Sequence, residues 1–348
     1  MKAENILVRV PNWVGDCVMA TPALMRLRRH FDRSRITLAA TNYVRQVVED
    51  GPWADAIIEV PRERNLRALS AAVKLLAAGR FDLAVLLTNS LGSALAARLA
   101  GIGRIVGYSR EGRGWLLTDK LKAPKENGRF VPAPMVGYYN RLADYLGCSP
   151  GESGMTLYTS PAWEQKAEEL FGQLGIDPSK PVAGINPGAA FGSAKCWPLE
   201  SFAAVANALS ERMGMRVVVL CGPKEREIAD QIAVLAGGGA VSLGRFDVPL
   251  GLLKAIVRRL SLMVTNDSGP RHFAASFGVP VVTIIGPTNP EWSDTGYEKG
   301  IQLQAKIDCG PCMLRRCPSD HRCMKEITPE MVIEAAERLL GACERRFK

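Results

Sequence analysis

Short apolar runs, many of them β-branched, alternate with amphipathic stretches along the whole chain. In the first half, the pattern predicts strands at Ile6–Val10, Ile36–Ala40, Asp82–Leu87 and Arg104–Tyr108, and helices over Cys17–His30 and Gly92–Ala100. In the second half, it predicts strands at Val182–Asn186, Arg216–Cys221, Leu262–Asn266 and Val281–Ile285, and helices over Pro198–Met213, Glu225–Ala236 and Pro270–Phe277. Strands and helices alternating at this spacing predict βαβ units and parallel sheets.

The two halves therefore predict two doubly wound α/β domains, with the cleft between them as the expected binding site. Turn-rich segments at 149–154 and 177–181 bracket the join, and we assign residues 1–160 to the first domain and 161–328 to the second. Residues 329–348 form a C-terminal segment. In it a single amphipathic helix is predicted from Pro329 to Phe347.

Composition narrows the class of protein. Hydrophobic residues make up 47% of the chain and no run reaches 18 apolar residues, which predicts real cores and no membrane-spanning helix. The N-terminus lacks a cleavable signal pattern, which predicts a cytoplasmic protein. Residues 1–160 hold 22 Lys and Arg against 14 Asp and Glu, whereas residues 161–348 hold 22 against 21. The basic first half suits an anionic partner or serves solubility alone, and without interleaved aromatic residues it does not predict nucleic-acid binding.

The first candidate site is the loop of residues 11–16 (PNWVGD), between the first strand and the helix after it. In an open parallel sheet this is the carboxyl edge, where ligands bind. Asp16 is a candidate general base, but an acid before a helix is more often an N-cap, and the pattern alone favours the cap. Both roles are compatible, since a helix N-terminus favours an ionised carboxylate.

Four further loops follow predicted strands of the second half. Small residues in the loop before Pro198 let backbone N–H groups approach an anion, to which Lys195 adds a charge. After Asn266, the backbone at Ser268 and Gly269 could hold a diphosphate, whereas Asp267 would repel phosphate and suits sugar hydroxyls or a Lys. Each remaining candidate also has a purely structural interpretation. His272 could be a core histidine, Glu225 an acid in the first turn of a helix, and Thr288 the cap of a turn.

Nine cysteines in a chain without a signal pattern predict reduced thiols. Four of them, Cys309, Cys312, Cys317 and Cys323, cluster before the last helix, with His321 among them. The first pair has the spacing of a zinc site but the second pair does not, so a zinc site and a metal-free structural insert both stay open.

Three motifs together resemble the bacterial lipopolysaccharide heptosyltransferases of glycosyltransferase family nine. They are PNWVGD at 11–16, GAAFGSAKCWP at 188–198 and TNDSGPRHFAASFGVPVVTIIGPTNP at 265–290. The resemblance spans essentially the whole chain, and Trp13 favours the enzymes that add the second heptose. One departure is Pro270-Arg271, where relatives usually carry an apolar residue followed by a polar residue or Met.

The resemblance implies a GT-B fold, in which two Rossmann-like domains face each other across a cleft. It implies ADP-heptose as donor, the first heptose of the lipopolysaccharide inner core as acceptor, inversion at the anomeric carbon, and no required cofactor or metal. Peripheral contact with the inner face of the inner membrane and a C-terminal helix crossing back to the first domain are also implied.

Carried over by position, Asp16 matches the catalytic base and Lys195 the residue that meets the donor phosphates. The other donor positions are Glu225, Asp267, Ser268, Gly269 and His272, and Thr288 is added as a donor contact from its place in the loop after the last predicted strand. Once the acceptor is taken as anionic, the basic first domain offers acceptor contacts at Arg62, Arg64, Arg67 and Arg104, although a merely solvated surface is the alternative for the first two.

Three other hypotheses remain to be separated from this one. A family member with a different acceptor and a nucleotide-sugar 2-epimerase of the same architecture are the rival enzymes. An epimerase needs both an acid and a base at the sugar, and one clear Asp favours transfer. A two-lobed solute-binding protein is the rival without catalysis, and the missing signal pattern argues against it.

Overall fold

The computed structural model describes residues 3–151 and 154–345. The chain divides into two compact units, the first formed by residues 1–158 with 291–295 and the second by residues 159–290 with 296–348. The predicted join after residue 160 lies beside this division, whereas the return of residues 291–295 to the first unit had no signal in the sequence.

Parallel strands form the centre of each unit. In the first unit the strands are β1 (Asn5–Arg9), β2 (Arg35–Ala40), β3 (Ala56–Glu59), β4 (Leu83–Leu86), β5 (Arg104–Tyr108) and β6 (Asp119–Leu121), followed by the small hairpin β7 (Lys125–Glu126) and β8 (Arg129–Phe130). In the second unit they are β9 (Val182–Asn186), β10 (Arg216–Val219), β11 (Ala240–Ser242), β12 (Leu262–Asn266), β13 (Val281–Ile285) and β14 (Gly300–Gln304).

Helices connect most of these strands. In the first unit they are α1 (Val14–Met19), α2 (Thr21–His30), α3 (Asn42–Val48), α4 (Leu66–Ala78), α5 (Leu91–Leu99) and α6 (Met135–Tyr145). In the second they are α7 (Pro161–Gln173), α8 (Leu199–Met213), α9 (Arg226–Leu235), α10 (Leu250–Arg258), α11 (Pro270–Ser276), α12 (Arg322–Lys325) and α13 (Pro329–Arg345). Short 3-10 turns lie at Arg113–Leu116, Ser193–Lys195 and Pro290–Ser293.

The two large sheets have the same topology. Their strand orders are β3-β2-β1-β4-β5-β6 and β11-β10-β9-β12-β13-β14, and neighbouring strands in both are parallel. This is the order of a doubly wound Rossmann-like sheet. Successive strands are added first on one side of the first strand and then on its other side. The predicted pair of α/β domains is therefore confirmed, and the carboxyl ends of β1 and β9 occupy equivalent positions in the two units.

Each sheet is covered on both faces, which explains why its central strands are apolar almost throughout. In the first unit α4 and α5 pack together on one face, and α1, α2, α3 and α6 pack with one another. The core under α4 and α5 contains Leu7, Leu86 and Ile105 from three neighbouring strands. Strands buried on both faces lose the alternation of polar and apolar residues.

The stretch Cys17–His30, predicted as one helix, forms two helices. The first helix ends at Met19 because Pro22 has no backbone N–H with which to continue its hydrogen-bond ladder. The Thr21 hydroxyl instead donates to the carbonyl of Val18 at 2.8 Å. Asp16 therefore lies on a short helix of its own, positioned by the end of β1.

The final helix, α13, begins at Pro329 as predicted, and the predicted end at Phe347 lies outside the described residues. Within the second unit it packs against α8 and strands β12 to β14. Its expected contact with the first domain stays a prediction. Across residues 3–151 and 154–345, no helix has the length and apolar character needed to cross a membrane.

Candidate functional site

Asp16 lies in the first turn of α1, a few residues after the carboxyl end of β1. Trp13 is the N-cap residue and no side chain caps this helix, so the N-cap interpretation of Asp16 is wrong. The half-buried carboxylate accepts a hydrogen bond from the Tyr139 hydroxyl, with 2.8 Å between Oη and Oδ1. Burial raises the pKa of Asp16, and the bond from Tyr139 opposes that shift only in part. A carboxylate of raised pKa, held by one fixed donor, is suited to accept a proton.

A buried ion pair supports the loop that carries the predicted acceptor arginines. Arg9 and Glu63 are both almost fully buried and lie 3.4 Å apart (Nη2 to Oε1). Glu63 therefore turns inward, whereas the predicted contacts Arg62, Arg64 and Arg67 are exposed on the same loop and at the start of α4. Their charges are available to an anionic partner near the carboxyl edge.

Arg104 is not brought together with these residues. It is the first residue of β5, so it lies at the amino edge of the sheet, and Asp16 follows the carboxyl edge. A five-residue strand separates the two edges by about 15 Å. The Arg104 guanidinium also forms an ion pair with Asp119 at 2.9 Å. Arg104 therefore lies away from the edge that carries Asp16, and its role as an acceptor contact stays a prediction.

A cavity of about 140 Å³ lies within the first unit. Its lining includes Arg110, Phe130, Tyr138, Arg141 and Trp292. The Arg110 guanidinium stacks on the ring of Phe130, 3.8 Å from its centroid. Tyr138 precedes Tyr139 on α6, so the helix that lines this cavity also supplies the hydrogen bond to Asp16.

In the second unit, two of the predicted donor residues form a close ion pair. The Lys195 Nζ lies 2.6 Å from Asp267 Oδ2 and also donates to the backbone carbonyl of Asp267 at 3.0 Å. The Thr288 hydroxyl donates to the same Oδ2 at 2.8 Å. The prediction that Asp267 would take a Lys or sugar hydroxyls as partner, and not a phosphate, agrees with this geometry.

Arg271 contributes a second cation beside Asp267. Its Nη1 lies 3.3 Å from Asp267 Oδ1, and both side chains are almost fully buried. Burial alone would raise the pKa of Asp267, but Arg271 and Lys195, with the hydrogen bonds from Lys195 and Thr288, outweigh burial and lower it. Arg271, where the sequence departs from the family pattern, therefore contacts the Asp267 carboxylate. Two cations, Lys195 and Arg271, lie beside this one buried anion.

His272 is buried, in agreement with its interpretation as a core histidine. Burial, with a smaller contribution from the neighbouring charge of Arg271, lowers its pKa to about 3. Its Nε2 lies 3.4 Å from the Nε of Arg271, which donates to it. The ring is neutral near pH 7 and can offer a hydrogen bond but no charge.

Two asparagines tie the candidate loops together. At the end of β9, Asn186 Nδ2 donates to the hydroxyls of Thr265 and Ser268 at 3.0 and 2.9 Å. At the end of β12, Asn266 Nδ2 donates to the carbonyl of Pro187 at 2.6 Å, and its Oδ1 accepts from the backbone N–H of Trp197 at 3.2 Å. The loops that carry Lys195 and Asp267 therefore have a fixed separation.

Glu225 lies between the loops that follow β9 and β10. It is the N-cap residue of α9, without a side-chain capping bond, and its Oε2 accepts from the backbone N–H of Gly222 at 2.9 Å. A Cβ at Gly188 would lie 2.2 Å from the Glu225 carboxylate. The acid therefore sits against a glycine that leaves room for it, at the carboxyl edge of the second sheet.

The four clustered cysteines line one cavity of about 70 Å³ in the second unit. Their thiols are free, and over the described ranges no three Asp, Glu, His or Cys side chains are arranged to hold a metal ion. His321 Nε2 lies 2.8 Å from the carbonyl of Ala194, and Arg315 accepts from the Ala194 N–H at 3.1 Å. The cysteine-rich segment, through Arg315 and His321, therefore contacts and stabilises the loop that carries Lys195.

Tyr139 and Asn186 are candidate site residues that were not predicted from the sequence. Nothing in the sequence pairs Tyr139 with Asp16, because the two are 123 positions apart. Asn186 did carry a signal, since it is a polar residue at the carboxyl end of an apolar strand. The cavity with Arg110 and Arg141 was also missed, because its walls come from several separate loops.

Known proteins match this chain over nearly its whole length. The chain is 28% identical over 340 residues to lipooligosaccharide heptosyltransferase 2 of Campylobacter jejuni, covering 97% of this chain and 98% of that one. The structure of a family 9 glycosyl transferase from Veillonella parvula matches with a TM-score of 0.83 at 26% identity, over 97% of both chains. That of heptosyltransferase II from Escherichia coli matches with a TM-score of 0.79 at 26% identity, over 98% of this chain and 99% of that one.

These likenesses confirm the GT-B fold that the sequence motifs implied. The model of glycosyltransferase family 9 (heptosyltransferase) matches residues 69–322, which is more than half of the chain. By this match, the chain belongs to glycosyltransferase family 9.

Proposed function

We propose that this glycosyltransferase transfers heptose from ADP-heptose to the first heptose of a lipopolysaccharide inner core, with inversion at the anomeric carbon. The names of the relatives support this donor and acceptor class. The observation that carries the proposal is the pair of polar centres, Asp16 with Tyr139 in one unit and Lys195 with Asp267 in the other, each at a carboxyl edge. Membership of a glycosyltransferase family favours transfer over the epimerase hypothesis.

Asp16 is the proposed general base. The acceptor hydroxyl oxygen attacks the anomeric carbon, the bond from that carbon to the ADP oxygen breaks, and Asp16 takes the hydroxyl proton. A base within hydrogen-bond reach contributes about 10²–10⁴-fold to the rate. The raised pKa of Asp16 brings its proton affinity closer to what this step requires.

Lys195 is the proposed partner of the donor diphosphate. Lys195 forms an ion pair with Asp267, and its side chain is 11% exposed, so a diphosphate can compete for the ammonium group. Arg271 remains beside Asp267 and keeps the carboxylate ionised when Lys195 turns to the phosphates. An ionised Asp267 can then accept hydrogen bonds from heptose hydroxyls, consistent with its expected place nearest the sugar.

Other residues of the second unit complete the proposed donor site. Glu225 would accept hydrogen bonds from the ribose, a role typical of an acid after the second strand of such a sheet. Ser268 and Gly269 would offer backbone N–H groups, and Thr288 and the neutral His272 would add uncharged donors. Because Lys195 and backbone groups meet the diphosphate, we propose that the reaction proceeds without a divalent metal.

The acceptor site is proposed in the first unit. Inner-core acceptors carry carboxylates and phosphates, and Arg62, Arg64 and Arg67 are exposed cations near the carboxyl edge. Arg110 and Arg141 line a cavity beside α6, the helix that supplies Tyr139. An acceptor anchored by lipid A would also bring the enzyme to the inner face of the inner membrane in the cytoplasm.

The test is ADP release from ADP-heptose with a heptosylated Kdo–lipid A acceptor, in the presence of EDTA. We expect acceptor-dependent release by the wild type and a loss of about 10²-fold or more in Asp16→Asn. Asp32→Asn, at an exposed acid of the same unit, serves as the matched control. Equal rates in Asp16→Asn and the wild type would remove Asp16 as the base, and the absence of release by any of them would remove this donor–acceptor pair.

A further inference from the structure

The loop after β3 crosses the carboxyl edge of the first sheet. The strand order places β2 and β1 between β3 and β4, so about 14 Å of sheet separates β3 from β4. Glu63 nevertheless lies against the start of α5, which follows β4, because a Cβ at Gly92 would lie 2.7 Å from Glu63 Cβ and 2.9 Å from its carbonyl oxygen. The loop therefore passes over the end of β1, where the segment that leads to Asp16 begins.

Arg9, the last residue of β1, joins this loop to the segment before Asp16. Its Nη1 donates to the carbonyl of Ala39, near the end of β2, at 3.1 Å. Its Nη2 lies 3.4 Å from Glu63 Oε1 and donates to Asn12 Oδ1 at 3.3 Å. A single guanidinium group therefore contacts both the loop after β3 and the loop that leads to the proposed base.

Burial gives this ion pair a fixed direction. The side chains of Arg9 and Glu63 are 2% and 3% exposed. Burial lowers the pKa of Arg9, and the charge of Glu63 opposes that shift. A buried charge that loses its partner is strongly destabilising, so the carboxylate of Glu63 stays directed inward, toward Arg9.

The inward direction of Glu63 determines where two cations point. Glu63 is the central residue of a tight turn, in which the N–H of Arg64 donates to the carbonyl of Arg62 at 2.7 Å. Arg62 and Arg64, on either side of Glu63, are both exposed. The buried carboxylate therefore anchors the turn from below while the two guanidinium groups extend into solvent at the carboxyl edge.

We propose that Arg9 and Glu63 are positioning residues, whose buried ion pair fixes the proposed acceptor-binding cations relative to the proposed catalytic base. The cations are Arg62 and Arg64, and the base is Asp16. An acceptor held by these cations then presents its hydroxyl to the base at one separation, and a misplacement of about 1 Å is enough to reduce the rate strongly. The role toward the acceptor rests on the proposed function, whereas the link between the two loops rests on the contacts alone.

Gly92→Ala tests this link without removing either charge. The added methyl group would lie against the backbone of Glu63 and should displace the turn. We expect kcat/KM for the acceptor to fall by about tenfold or more, and KM for ADP-heptose to stay unchanged because the proposed donor site lies in the second unit. Gly103→Ala, with open space around the added methyl group, is the matched control. Equal acceptor kcat/KM in the two variants would overturn the proposal.

Replacement of both charged residues separates positioning from support of the fold. Apolar side chains of similar volume in place of a buried ion pair often preserve or increase stability. We therefore expect the double variant Arg9→Met/Glu63→Met to unfold near the wild-type temperature and still to show the reduced kcat/KM for the acceptor. A stable double variant with wild-type kcat/KM would show that the pair only supports the fold. Gly92→Ala keeps the proposal testable if the double variant does not fold.

Hydrogen exchange provides a measurement that needs neither donor nor acceptor. In Gly92→Ala, exchange should become faster at residues 12–16 and at residues 62–65 together, compared with the wild type and with Gly103→Ala. Faster exchange at residues 62–65 alone would overturn the link between the loops. If the wild type transfers no heptose, the proposed function fails, and the exchange measurement still decides whether the two loops are linked.

Discussion

At the scale of single residues, the bond between Tyr139 and Asp16 sets the proton affinity of the proposed base. Burial raises the pKa of the carboxyl group, and the Tyr139 hydroxyl stabilises its ionised form. Asp16 acts as a base only when ionised, so activity should fall as the pH drops through its pKa. The acidic limb of the kcat/KM profile therefore reports this hydrogen bond.

Tyr139→Phe removes the bond and leaves the ring in place. Since the bond lowers the pKa of Asp16, its loss should raise that pKa and move the acidic limb of kcat/KM to higher pH. Tyr145→Phe is the matched control, because Tyr145 lies on the same helix and donates to Asp119 instead. An acidic limb that stays in place in Tyr139→Phe would show that another group titrates in the profile.

In the second unit, the pKa of the buried Asp267 is lowered, whereas that of Asp16 is raised. Asp267 keeps its charge despite burial because Lys195 and Arg271 both contact it, and the balance lowers its pKa. A carboxylate whose pKa is lowered by folding stabilises the fold above its ordinary pKa near 4, and loses that contribution as the pH falls below it. Asp267, in the proposed donor site, is therefore ionised at neutral pH.

At the scale of elements, the loops after β9 and β10 depend on close approach of backbone and side chain. Gly188 leaves the space that the Glu225 carboxylate occupies, because a Cβ there would lie 2.2 Å from it. The carboxylate is the mobile end of a side chain and can move aside. A larger residue at position 188 should therefore displace Glu225 and leave the strands unchanged.

Gly188→Ala is expected to raise the KM for ADP-heptose by about the same factor as Glu225→Gln, because both remove the proposed ribose contact. Thermal unfolding should change little. Gly172→Ala, on α7 with open space around the added methyl group, is the control and should leave KM unchanged. If Gly188→Ala and Glu225→Gln both bind donor like the wild type, Glu225 does not contact the ribose.

The elements themselves were largely predictable because their signals are local. Apolar runs located the strands β1, β5, β9, β12 and β13 to within a residue. The pattern did not find β3, β6 or β14. The residues of β3 and β14 are partly exposed, and β6 is short and polar. The split between α1 and α2 was missed although Pro22 is its local cause, because the amphipathic pattern continues across the break.

At the scale of the whole molecule, donor binding is proposed for the second unit and the catalytic base for the first. Addition of ADP should stabilise the chain by about 2.7 kcal/mol at a concentration of 100 Kd. Hydrogen exchange should slow in the loops at 187–195, 222–225, 267–269 and 287–290. The loop at residues 10–15 serves as the internal control, since ADP alone carries no group for Asp16. Protection confined to that first-unit loop would contradict the assignment.

The sequence by itself determined the alternation of strands and helices and the pair of doubly wound domains, and it located the loops that are proposed to carry the chemistry. These follow from periodicity and from motifs, which are properties of neighbouring residues. The position of Arg104 at the edge opposite Asp16 also follows from the sequence, because Arg104 begins a predicted strand.

Only the tertiary structure decided which polar groups meet. Asp16 and Tyr139 are 123 positions apart, and Lys195 and Asp267 are 72 apart, so no local pattern connects them. The inward turn of Glu63 against Arg9 likewise depends on which strands are neighbours. The physical reason is that burial and charge pairing depend on distances in space, which the order of the parallel strands sets.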